Sequence, residues 1–156
     1  LDILEEMGCR VDVSSGNCSL TRSGALSGVD IDMSDVSDLV PTIAVVALFA
    51  STPTRIRNVG FIRGKESDRI GDLVAGIEAL GGRASEHPDG LEVFPLETVP
   101  DQPIVMQTHH DHRLAMAWSL VALKRSSIIV DMPSVVDKSW PQWWTVRETI
   151  RRTSIH

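Results

Sequence analysis

The chain has 156 residues, with 15 Lys and Arg against 21 Asp and Glu, a formal net charge of −6, and 42% hydrophobic residues. That composition fits one globular domain with enough apolar residues for a core, and it excludes a disordered chain. The acidic balance argues against nucleic-acid binding, and the longest apolar run, Ile43 to Ala50, is far too short to cross a bilayer.

In chain order, Leu1 to Gly8 reads as the last turns of a helix that stops at a glycine cap. Neither an initiator Met nor an N-cap precedes it, so the expectation is a fragment that begins inside a helix of a longer protein. Arg10 to Val13 and Cys18 to Arg22 read as two strands of a hairpin. Cys9 and Cys18 lack CxxC spacing. They are expected to be reduced, mostly buried thiols of a cytoplasmic protein, although a hairpin makes a disulfide between them geometrically conceivable. Val29 to Met33 is a strand. The cap residues Ser34, Asp35, Ser37 and Asp38 lead to a helix over Pro41 to Ala50 that is apolar on nearly all sides.

Thr54 to Val59 is the next strand. Ser67 to Leu80 is an amphipathic helix with Ile70, Leu73, Val74, Ile77 and Leu80 at helical spacing, ending at Gly81-Gly82. Ser67 or Asp68 caps it. Arg83 to Glu86 and Leu91 to Pro95 flank the turn Pro88-Asp89-Gly90. Ile104 to Gln107 is a strand, His112 to Lys124 a helix capped by Asp111, Ser127 to Met132 a strand, and Trp140 to Arg152 a final helix with Pro141 in its first turn. The predicted order is α-β-β-β-α-β-α-β-β-β-α-β-α, an α/β fold.

That order looks repeated. At an offset of 73 residues, Glu5 falls on Glu78, Gly8 on Gly81, Ile31 on Ile104, Asp38 on Asp111, Ala44 on Ala117 and Lys65 on Lys138. Helix falls on helix and strand on strand. The expectation is one partial domain over residues 1–156, with internal repeats at 1–73 and 74–146.

The informative polar residues stand at helix entrances: Asp38, the run Arg63-Gly64-Lys65-Glu66-Ser67-Asp68-Arg69, the run His109-His110-Asp111-His112-Arg113, and Lys138-Ser139. If the helices run in one direction, their N-terminal N–H groups and these cations share one face. Such a face suits a strongly anionic small molecule. Taken singly, each run also reads as a solvated cap with local ion pairs. The His109 to His112 run does not make a metal site. Adjacent side chains rarely converge on one ion, and no distant ligand set completes a tetrahedron. Trp140, Trp143 and Trp144 read as a packing face. Nucleotide-loop and nucleophile-elbow motifs are absent.

Together, Arg63 to Arg69 (RxKE[ST]DR), Asp111 to Met116 (DHRxAM), Asp32-Met33 with Asp38, and Lys138-Ser139-Trp140-Pro141 resemble, in order and along the whole chain, the C-terminal part of the 5-enolpyruvylshikimate-3-phosphate synthase family. The resemblance implies an inside-out α/β barrel built of βαβαββ units, of which this chain holds about two of the three in one domain. It also implies transfer of the enolpyruvyl group from phosphoenolpyruvate to the 5-hydroxyl of shikimate 3-phosphate, with phosphate released and neither a metal nor an organic cofactor used. On that reading Asp38 binds shikimate 3-phosphate and takes its hydroxyl proton, Lys65 contacts the same substrate, and Glu66 protonates the methylene carbon of phosphoenolpyruvate. Arg69, Arg113 and Lys138 hold its phosphate and carboxylate, and His112 lines the pocket.

The implied partners are these two substrates and the missing N-terminal half of the same chain, in a monomer without nucleic acid or membrane. The fragment alone is expected to be inactive. Two alternatives remain: a related enolpyruvyl transferase acting on UDP-N-acetylglucosamine, and a non-catalytic anion-binding module. Asp38 and Glu66 separate the latter from an enzyme, because a pure anion binder has no use for carboxylates among its cations. Gly64, Asp137 and the Phe61-Ile62 pair depart from the family pattern.

Overall fold

The computed structural model describes residues 1–22, 24–98 and 101–153. The last three positions of the expected span 1–156 lie outside them. A short helix α1 (Asp2–Glu6) leads into a hairpin of β1 (Cys9–Ser14) and β2 (Asn17–Arg22), which pair antiparallel with each other. The register sets Cys9 opposite Arg22 and Cys18 opposite Val13, and both thiols are free. Against the expectation of burial, Cys18 is exposed and Cys9 only half-buried, because the hairpin is a two-stranded sheet of its own and β2 is exposed along its length.

Next, β3 (Asp30–Asp32) and β4 (Thr54–Arg57) pair in parallel across α2 (Val40–Ala47). Parallel neighbours need such a crossover, and a helix is the usual one. After α3 (Arg69–Ala79) comes a second hairpin, β5 (Ala84–His87) and β6 (Gly90–Val93). This hairpin docks β6 antiparallel onto β4, so one sheet has the order β3-β4-β6-β5. A second parallel pair, β7 (Ile104–Met106) and β8 (Ile128–Val130), spans α4 (His112–Lys124), and α5 (Trp143–Thr153) follows. The order of helices and strands is the one read from the sequence.

The core lies between the sheets and helices α2, α3 and α4. It includes Met33, Ile43, Ile56, Leu73, Ile77, Leu91 and Trp118, all buried. Helix α2 packs on α4 and buries six of its residues, which explains why its sequence is apolar all round. Gly76 of α3 makes room for Trp118, since a Cβ there would lie 2.4 Å from the indole ring.

The structure corrects several boundaries. Helix α2 ends at Ala47 rather than Ala50, and α5 begins at Trp143 rather than Trp140. Three 3-10 turns, Ser34–Leu39, Gly60–Gly64 and Pro133–Lys138, stand where the sequence pattern predicts no element. Each is too short to show a hydrophobic period, and i→i+3 bonding does not follow the 3.6-residue spacing used to find helices. Of the two candidate caps for α3, it is Asp68 that accepts from the Gly71 N–H, at 3.1 Å.

Gly90 sits where β6 meets β4. A Cβ there would be 2.0 Å from the Ile56 carbonyl oxygen, a backbone atom that cannot turn aside. Gly90→Ala is therefore expected to lose about 1–3 kcal/mol by overpacking, measurable as a lower midpoint in urea unfolding.

Candidate functional site

Four segments deliver charged side chains to one place. Asp38 lies in the turn that enters α2, and Glu66 in the loop before α3. Arg69 opens α3. Asp111 is the N-cap of α4, followed by His112 and Arg113 in its first turn, and Lys138 ends the turn Pro133–Lys138. Helix entrances on adjacent elements thus converge, as the arrangement of polar residues in the sequence predicted.

Arg69 is the centre. Its side chain is 1% exposed, and each guanidinium nitrogen has a carboxylate. Nε donates to Asp111 Oδ2 at 2.6 Å, Nη1 to Asp38 Oδ1 at 3.2 Å and Nη2 to Glu66 Oε2 at 2.6 Å. Asp111 is fully buried, and its other oxygen accepts from the Arg113 N–H at 2.8 Å, which caps α4. Burial works against the charge on Arg69, but the hydrogen bond and charge of Asp111, with Glu66 and Asp38, hold its pKa above the ordinary arginine value.

Two further cations sit outside this knot. Arg113 Nη2 donates to Asp38 Oδ2 at 2.6 Å, and Lys138 Nζ lies 3.9 Å from Glu66 Oε1. Asp38 therefore bridges Arg69 and Arg113, and Glu66 bridges Arg69 and Lys138. Three cations face three carboxylates. Asp111 is sealed, but Asp38 is 52% exposed and Glu66 37%. An anion arriving from solvent can displace those two carboxylates without disturbing the buried pair.

His112 is buried beside the cluster; its Nδ1 lies 3.9 Å from Asp111 Oδ1 and has no hydrogen-bond partner among the described residues. Burial pushes its pKa below the ordinary histidine value, and the charge of Lys138 pushes in the same direction. Lys65 is the one expected site residue outside the ion-pair network. Its Nζ lies 6.0 Å from the Phe61 ring centroid, and no ion pair of Lys65 occurs among the described residues. A groove of 340 Å³ shares Asp38 and Arg113 with the cluster, and its apolar walls include Leu39, Met116, Leu120 and Trp140. Among the described residues, no group of three or more His, Cys, Asp or Glu could hold a metal ion.

Asp111 is the residue whose importance the sequence understated. It read as a helix cap, and it is one. Its second task, pairing with an arginine 42 positions earlier, left no local signal. The backbone before it does carry a trace of that task. His109 and His110 both adopt positive φ, +50° and +60°, a conformation that costs a non-glycine residue roughly 1–2 kcal/mol. This turn is held by the Asp111 N–H donating to the Thr108 carbonyl at 2.8 Å, and by the Thr108 N–H donating to Asp131 Oδ1 at 3.0 Å.

Two measurements check these assignments. Asp111→Ala leaves Arg69 short of its one sealed partner, so a loss of about 3–5 kcal/mol is expected. Asp38→Ala, at the solvent edge, should lose no more than about 1 kcal/mol. Denaturant midpoints of the two variants decide this. His112 binds its proton less readily folded than unfolded, so it contributes no pH dependence above neutrality and loses stability as pH falls below its ordinary value of 6.5. The stability gap between wild type and His112→Gln should therefore be constant from pH 7 to 8 and shift against wild type toward pH 5.

A family model described as EPSP synthase (3-phosphoshikimate 1-carboxyvinyltransferase) matches residues 1–146. The chain is 43% identical over 145 residues to the 3-phosphoshikimate 1-carboxyvinyltransferase of Nostoc punctiforme, covering 93% of this chain and 33% of that protein. It is 38% identical over 151 residues to the enzyme of that name from Syntrophobacter fumaroxidans, covering 97% and 36%. The chain thus spans about a third of the length of the curated relatives it matches. Its fold superposes on an EPSP synthase structure from Acinetobacter baumannii with a TM-score of 0.77 at 25% identity, covering 95% of this chain and 37% of that one. It shares the fold of the enolpyruvyl transferase NikO from Streptomyces tendae, with a TM-score of 0.70 at 23% identity and coverage of 95% and 34%. With the motif residues gathered at one site and a family model matched over nearly its whole length, the chain belongs to the EPSP synthase (3-phosphoshikimate 1-carboxyvinyltransferase) family.

Proposed function

We propose that the protein to which this chain contributes transfers the enolpyruvyl group of phosphoenolpyruvate to the 5-hydroxyl of shikimate 3-phosphate, releasing phosphate. One observation carries the reading beyond anion binding: Asp38 and Glu66 stand within ion-pair distance of Arg69, Arg113 and Lys138. Carboxylates in that position weaken a site that only holds anions, and they are what proton transfer needs. The names of the relatives support the same reaction.

The roles are those the family resemblance implies, and the chemistry of the side chains suits them. Arg113 and Lys138 turn from the carboxylates to the phosphate and carboxylate of phosphoenolpyruvate, with Arg69 behind them and His112 lining the pocket. Arginine suits the paired oxygens of such groups. This exchange frees Asp38 and Glu66. Asp38 takes the hydroxyl proton as that oxygen bonds to the central carbon of the enol, and the protonated form of Glu66, released from its cations, gives its proton to the methylene carbon. A tetrahedral adduct results. Loss of one methyl proton to the Glu66 carboxylate, with departure of phosphate carrying the proton held by Asp38, then restores the double bond and both carboxyl groups. Lys65 contacts shikimate 3-phosphate. The reaction uses neither a metal nor an organic cofactor and runs in the cytoplasm, in a monomer whose cleft is completed by the N-terminal half of the polypeptide.

The same reading makes residues 1–73 and 74–146 two copies of one unit, part of a single domain. Its support is positional. Shifted by 73 residues, α2 falls within α4, and β3, β4 and α3 land within one residue of β7, β8 and α5.

The test is phosphate release from phosphoenolpyruvate and shikimate 3-phosphate by the complete gene product. Asp38→Ala and Glu66→Gln are each expected to lower kcat by a factor on the order of 10²–10⁴. Wild-type turnover in both variants overturns the reading.

A further inference from the structure

Lys65 and Glu66 lie on a loop, Gly64 to Asp68, that contributes little packing of its own. A Cβ at Gly64 would touch nothing within 4 Å. The loop starts where the turn Gly60–Gly64 ends, and it stops at Asp68, the cap of α3. Arg63 joins the two ends. Its Nη1 donates to Asp68 Oδ1 at 3.2 Å and Oδ2 at 3.1 Å, and pairs with Glu86 Oε1 at 2.7 Å. Its Nη2 donates to the His87 carbonyl at 3.0 Å. The ends are thus tied to each other and to the β5–β6 hairpin. That hairpin is itself fixed to the chain before the loop, because the Val59 N–H donates to the Asp89 carbonyl at 2.7 Å.

We propose that Arg63 is a positioning residue: its guanidinium clamps the Gly64–Asp68 loop onto the β5–β6 hairpin and so sets where Lys65 and Glu66 stand. Arg63 does not reach the carboxylate cluster. Its partners are Asp68, Glu86 and the His87 carbonyl, whereas those of Arg69 are Asp38, Glu66 and Asp111. Arginine is suited to the task because one planar group meets a carboxylate pair and a carbonyl at fixed angles. Lysine can keep an ion pair but not the whole fork. In a site where proton transfer depends on placement within about 1 Å, loosening this loop reaches the chemistry without touching a ligand.

The inference rests on the proposed reaction for its kinetic arm only. In the complete gene product, Arg63→Met is expected to lower kcat at least tenfold and to raise KM for shikimate 3-phosphate, which Lys65 contacts. KM for phosphoenolpyruvate should change less than twofold, since Arg113 and Lys138 are on other segments. Arg63→Lys should recover part of kcat. In parallel, hydrogen exchange should speed up at least tenfold at the amides of residues 65–68 in Arg63→Met, with α4 amides unchanged. Wild-type kcat and KM values in Arg63→Met overturn the clamp. So does exchange that accelerates equally throughout the molecule, which marks a general loss of stability. If wild type itself fails to turn over, the proposed reaction falls, and the exchange experiment still decides whether Arg63 orders the loop.

Discussion

The structure of the site depends on one buried cation. A guanidinium at 1% exposure has lost its water and must find its partners in the protein. Arg69 finds three, and they come from the entrance of α2, the loop before α3 and the cap of α4. Those segments are 31 and 42 positions away from Arg69 for Asp38 and Asp111. Satisfying one side chain therefore registers three helix entrances against one another. Asp111 does most of this. Between them, its two oxygens hold the arginine of α3 and begin α4, so the basic walls of the site share one buried anchor.

On the proposed reading, the same knot explains how an acidic chain holds a site for anions. Net charge describes the whole surface, whereas a ligand responds to the charges within a few ångströms, less screened where burial keeps solvent out. Around Arg69 the signs balance, with two of the three carboxylates open to solvent and one sealed. The sealed carboxylate is structural, and the open ones are exchangeable. In the proposed reaction, that division lets the site stay assembled while its outer ion pairs are replaced by ligand contacts.

Much of the fold was legible along the chain. The helical spacing of Ile70, Leu73 and Ile77 marked a buried face that the structure places in the core, and the Pro88-Asp89-Gly90 turn stands between β5 and β6. What periodicity could not register were the three 3-10 turns, and two of them matter most here, since Asp38 and Lys138 sit in them. Helix α5 starts three residues later than Trp140, the start that Pro141 in a first turn predicts. In the structure the Trp140 N–H instead closes the preceding turn by donating to the Val136 carbonyl at 2.8 Å. The cluster residues were legible as polar groups at helix entrances, and the family motifs picked out the same ones.

The sequence by itself determined the order of helices and strands, the Asp111 cap of α4 and the family. These depend on local backbone preference and on patterns a few residues long. Only the tertiary structure decided which charge meets which. It put Asp111 on Arg69 and Asp38 between two arginines, and it left Lys65 outside the network. It also turned Arg63 away from the cluster and onto the hairpin. The physical reason is that an ion pair is set by distance and burial. Both arise only when segments dozens of residues apart pack against a shared core.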